Sequence, residues 1–158
     1  MSPELKEILN GIIAMARHNM AMHGQLMPVT FVISGKKEEK QSIEIIGTPW
    51  HDDVEKEAAI IFLRGRAREK QAHTVIMLFE VWYVSLGGPT LASWDGVPAR
   101  LRRDRKEAVG LYIETLDGSW HGKADIIRDA KGKPSFGEVE YQPIGVRDPI
   151  ERIQSILA

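Results

Sequence analysis

The run Thr74–Leu86 constrains the fold more than any other stretch of this sequence. Read with the two-residue period of a strand, Val75, Met77, Phe79, Val81 and Tyr83 point one way, and Ile76, Leu78, Trp82 and Val84 the other. A strand with water on one side alternates apolar and polar residues. One that is apolar on both faces needs a layer over each of them. The chain must therefore provide a central strand and enough helix or sheet to cover it twice. With 158 residues, it is long enough to bury roughly 70% of its unfolded surface without a disulfide or metal staple.

The flanking segments provide those layers. Ser2 is placed to cap a helix with Pro3 at its first position. Leu5, Ile8, Leu9, Ile12, Met15, Ala16 and Met20 recur at helical spacing until Gly24 ends the run. Val29–Ser34 and Ser42–Ile46 read as strands joined by the polar turn Gly35–Lys40. A second helix starts at Asp52 or Asp53, with Glu55 placed for a capping box, and ends among Arg64, Arg66, Arg68 and Lys70. Its middle, Ala58–Leu63, is apolar nearly all round, which predicts deep burial. Beyond the central strand, Gly87–Lys106 has no clear period. Strands are then expected at Ala108–Leu116, Trp120–Arg128 and Phe136–Tyr141, with turns at Asp117-Gly118 and Asp129–Pro134. A short helix capped by Asp148, with Pro149 first and Ile150, Ile153, Ile156 and Leu157 on one face, closes the order. The expected fold class is α+β: one domain over 1–158, with one mixed sheet packed by two main helices.

Composition removes several kinds of chemistry. There is no cysteine, so thiol catalysis, thiolate zinc sites and disulfides are excluded. A net charge of −1 gives no whole-molecule attraction to nucleic acid or membrane. Met1-Ser2-Pro3-Glu4 lacks the basic and apolar regions of a signal peptide, and no apolar run reaches membrane-spanning length. The expected location is the cytoplasm. No GxxxxGK[ST], strand-linked GxGxxG or GxSxG motif occurs. His18 and His23 are five apart and do not share a helix face, and His51-Asp52-Asp53, the best local ligand cluster, reads as a helix start in preference to a metal site. No metal site and no cofactor is expected.

Three features stand out. Glu80 falls on the strand face of Ile76, Leu78, Trp82 and Val84. A carboxylate there is a structural ion pair, a point where the face emerges into water, or a group facing a cavity. Arg100, Arg102, Arg103, Arg105 and Lys106 crowd the approach to the next strand, interrupted by Leu101 and Asp104. Such a run is either a solvated connection or a set of forked donors for phosphate or carboxylate. Trp94, in Ser93-Trp94-Asp95-Gly96, either plugs the loop onto the core or forms a stacking platform beside the arginines.

Two resemblances follow from these residues. The order helix, hairpin, helix and central strand ending in Val81-Trp82-Tyr83-Val84-Ser85 resembles the first half of JAMM-type metalloproteases and their deaminase-like relatives. Where that family carries His-x-His, this chain has Gly87-Gly88-Pro89, and the deaminase Cys-x-x-Cys is impossible without cysteine. Shared topology would thus come without the metal chemistry. The middle of the chain, Glu80-Val81-Trp82 followed by Arg103-Asp104-Arg105-Lys106-Glu107 and Ala108–Thr115, resembles a group of small bacterial and phage proteins of unknown function. That resemblance implies a polar cluster of Glu80, Arg103, Asp104, Arg105 and Glu107 at the strand ends. It implies no activity.

The expected function is non-catalytic binding or assembly. Trp82, Trp94, Arg102, Arg103, Asp104, Arg105 and Glu107 would contact an anionic ligand or an acidic protein surface, with nucleic acid a further candidate. A homo-oligomer is compatible with this reading. The alternative is an enzyme in which Glu80 serves as acid or base beside Arg103 or Arg105.

Overall fold

The computed structural model describes residues 1–36, 38–83, 103–145 and 155–157. Within them the fold is α+β. Two helices, α1 (Pro3–His23) and α2 (Asp53–Lys70), accompany seven strands: β1 (Val29–Ser34), β2 (Ser42–Gly47), β3 (Ala72–Tyr83), β4 (Lys106–Thr115), β5 (Gly118–Arg128), β6 (Pro134–Phe136) and β7 (Glu140–Pro143). The strand order is β2-β1-β3-β4-β5-β6, with β7 also paired to β5. The pairings β1–β2, β1–β3, β5–β6 and β5–β7 are all antiparallel, so the sheet leans antiparallel where a mixed one was expected. Among the described residues, no helix is long and apolar enough to cross a membrane.

The chain divides into two compact units. One comprises Met1–Leu26, Glu80–Val109 and Ala124–Glu138. The other comprises Met27–Phe79, Gly110–Lys123 and Val139–Ala158.

In the first unit, α1 is bounded as its sequence dictates. Ser2 Oγ accepts the Leu5 amide at 3.1 Å, and Gly24 adopts φ 74° while its N–H returns to Met20 O. This left-handed C-cap suits glycine, which has no Cβ to clash. Leu5, Leu9, Ile12, Ile13, Ala16 and Met20 are buried. Arg17 fastens the helix beside β6. Its guanidinium donates to Gly137 O at 2.7 Å and lies over the Phe136 ring, 5.2 Å from the centroid. The Asp129–Pro134 turn is closed by Asp129 Oδ1, which accepts the Lys131 and Lys133 amides at 2.9 Å each.

In the second unit, β1 lies between β2 and β3 and is antiparallel to both. β2 and β3 therefore run in the same direction, and the β2–α2–β3 connection is a crossover around an inserted strand. Asp52 Oδ1 caps α2 by accepting the Glu55 amide at 2.8 Å. Ile60, Leu63 and Ala67 on α2 pack into one core with Val32, Val75, Met77, Tyr112 and Ile156. Arg66 ties α2 to β2 through a two-pronged contact with Glu44, which holds the Glu44 carboxyl below its usual range. Residues Thr74–Leu78 are buried on both faces, in keeping with the doubly apolar reading of this strand.

Two expectations need correction. α2 is not buried all round: Ile61 is 65% exposed, Phe62 57% and Val54 76%. Only the stripe at positions 60, 63 and 67 faces the sheet, because a helix lying on one layer buries one side whatever its opposite side contains. The strand expected over Phe136–Tyr141 is two strands. β6 pairs with residues 126–128 and β7 with residues 120–123 of β5, so the chain breaks at 137–139 to change partners. Of the expected closing helix, residues 148–154 lie outside the described residues, while Ser155–Leu157 are described and are not helical.

Candidate functional site: the Trp82–Arg105 surface

The end of β3 and the start of β4 lie in the first unit. Segment 84–102, which connects them, lies outside the described residues, and with it Trp94 and Arg102. What can be placed is the residues on either side. Trp82 is 49% exposed although its neighbours in sequence are apolar. The Arg105 guanidinium lies over its indole, 4.9 Å from the ring centroid. This is cation–π geometry, in which the ring quadrupole holds a weakly hydrated planar cation.

Glu107, two residues along β4, is gripped by Arg128 of β5. Nε–Oε2 is 2.8 Å and the second guanidinium nitrogen meets Oε1 at 3.1 Å. These paired bonds from Arg128 hold the Glu107 carboxyl below its ordinary range, against a smaller opposing effect of burial. A Trp82 side-chain hydrogen bond and the Arg105 charge add to the lowering. Arg128 is raised in turn, chiefly by its bonds to Glu107, with the Glu80 charge a lesser cause. Glu107 is therefore an anion that links the two cations and the indole.

Glu80 is half-buried, and its Oε1 accepts the Leu26 amide at 2.7 Å. It satisfies a backbone donor just beyond the C-terminus of α1, a structural employment. Tyr83 donates its hydroxyl to Asp125 at 2.6 Å across to β5. Arg103 and Asp104 are exposed in the turn that leads into β4.

The structure thus brings Trp82, Arg105 and Glu107 together, with Glu80 contributing through its charge. It adds Arg128, which the sequence reading did not single out. The available signal was weak: an acid opening one strand and an arginine closing the next form a cross-strand ion pair only once register is known. Among the described residues, no group of three or more His, Asp or Glu side chains is arranged to hold a metal ion. No family model matches the chain, and no curated protein or solved structure is detectably similar to it.

Proposed function

We propose that this chain is a non-catalytic binding or assembly protein whose contact surface centres on Trp82 and Arg105 and takes an anionic ligand. The observation that carries the reading is the Arg105 guanidinium stacked on an exposed indole. A flat π surface beside forked donors suits a ligand that bears phosphate or carboxylate together with an apolar or planar part. Glu107, held by Arg128 and hydrogen-bonded to Trp82, steadies the platform, which lowers the ordering cost of contact. Arg103 and Lys106, both exposed, extend the cationic edge. Glu80, engaged with the Leu26 amide, supports a scaffold role more than acid–base work.

The test is titration of the intact chain with oligo(dT), with polyphosphate and with a poly-glutamate peptide, at two salt concentrations. At least one should bind, and binding should weaken as salt rises. The Arg102→Ala/Arg103→Ala/Arg105→Ala triple variant should lose that binding while melting near the parent temperature. Unaltered binding in the triple variant, or no binding of any probe by the parent, defeats the proposal. Assembly is a compatible use of the fold: β2 ends the strand order and exposes Ile43 and Ile45, an edge suited to a second copy. Light scattering measures that directly.

A further inference from the structure

A second carboxylate of the sheet is more deeply buried than Glu80. Glu114 on β4 is 5% exposed. Most of its acceptor capacity is directed at one short piece of chain. Oε2 takes the Ile156 amide at 2.7 Å, and Oε1 takes the Leu157 amide at 3.2 Å and the Ser155 hydroxyl. Tyr112 donates from its hydroxyl at 3.3 Å. From α2, Arg64 Nε donates to Ser155 O at 2.6 Å. Ile156, 1% exposed, is inserted among Leu63, Ala67, Val75 and Tyr112. Beside Ile156 and Leu157 a cavity of about 270 Å³ continues along Ala67, Arg68, Gln71 and Ala72.

Ser155–Leu157 belong to no helix or strand. Side chains of α2 and β4, rather than a backbone ladder, satisfy the Ile156 and Leu157 amides and the Ser155 carbonyl. Recognition of extended peptides divides its labour in the same way: contacts to the main chain hold any sequence, and pockets select the side chains. Here the carboxylate and the guanidinium read the main chain through charge-assisted bonds. The Ile156 pocket and the Ser155 hydroxyl contact supply selectivity.

We infer that Arg64, Glu114 and the apolar floor between α2 and β4 form a peptide-recognition site for a small hydroxyl residue followed by two aliphatic residues. Ser155–Leu157 is its resident ligand, and a peptide of the same pattern supplied in trans displaces it. An empty site would leave a buried carboxylate short of donors, so the site exchanges occupants rather than standing open.

The test uses the full chain and the synthetic peptide Gln-Ser-Ile-Leu-Ala, acetylated at its N-terminus. In hydrogen exchange, millimolar peptide should speed exchange of the Ile156 and Leu157 amides at least tenfold and leave the amides of α1 unchanged. A peptide with Asp in place of Ile should do nothing. In a second measurement, fluorescently labelled peptide should bind the Ile156→Asp chain at least tenfold more tightly than the intact chain. Adding Glu114→Gln should remove that gain. Unchanged exchange at Ile156 and Leu157 under saturating peptide overturns the inference even if the Ile156→Asp chain fails to fold. Equal exchange with the Asp-bearing peptide overturns it as well.

Discussion

Trp82 of β3 and Arg105, the residue that precedes β4, sit with guanidinium over indole at 4.9 Å. An exposed contact of this type contributes about 0.5–1 kcal/mol. A double-mutant cycle of Trp82→Ala and Arg105→Ala, read by denaturant unfolding, should return a coupling of that size. Strict additivity would show that the two side chains are merely adjacent.

The Glu107–Arg128 pair should leave a pH signature. The folded-state carboxyl of Glu107 is held below its ordinary value, chiefly by Arg128. Its stabilisation is therefore fully present above the unfolded carboxylate range, roughly pH 4–5, and disappears as pH falls through the lower folded value. Both side chains are partly exposed, so the effect should be about 0.2–1 kcal/mol. The melting-temperature gap between the parent and Glu107→Gln should be constant near neutrality and close in acid. A gap that widens in acid would contradict this assignment.

Gly110 is a packing position. A Cβ there would stand 2.8 Å from Phe79 Cε2, and the Phe79 ring is itself packed against Trp50 at 6.1 Å between centroids. Gly110→Ala should cost about 1–3 kcal/mol by overpacking. Adding Phe79→Leu should recover part of that loss in thermal melts, because the smaller side chain makes room.

α2 allows a comparison within one helix. Leu63→Ala should destabilise by about 2–5 kcal/mol. Ile61→Ala, two residues away on the open side, should stay within about 0.5 kcal/mol of the parent. Similar losses at both positions would mean that Ile61 is covered by a partner in solution.

Element ends were readable wherever a local rule decides them. Ser2, Gly24 and Asp52 announce helix boundaries through their own backbone chemistry. β3 was readable because two apolar faces leave a strand few places to go. The all-round apolar middle of α2 misled because burial depends on what arrives from elsewhere in the chain, and among the described residues Ile61 and Phe62 stay exposed. The break at 137–139 depends on Phe136 and Tyr141 facing different stretches of β5, which no local pattern encodes. Glu107 was singled out without its partner Arg128, because pairing across strands follows register. Glu114 was missed, although the parity argument that flagged Glu80 applies to it equally. It follows the apolar run Val109–Ile113, and its partners Ser155–Leu157 lie more than 40 positions downstream.

The contact between Arg17 and Gly137 spans 120 positions of sequence. During synthesis α1 is made well before β6 and the residue that receives Arg17. At about 5–20 residues per second, the apolar stripe of α1 waits on the order of ten seconds for that partner. Until then α1, whose Leu5, Leu9, Ile12 and Met20 are buried in the finished fold, lacks its contacts with β6. Translation speed between α1 and Pro134 sets the length of that interval, so codon choice there becomes a lever on yield.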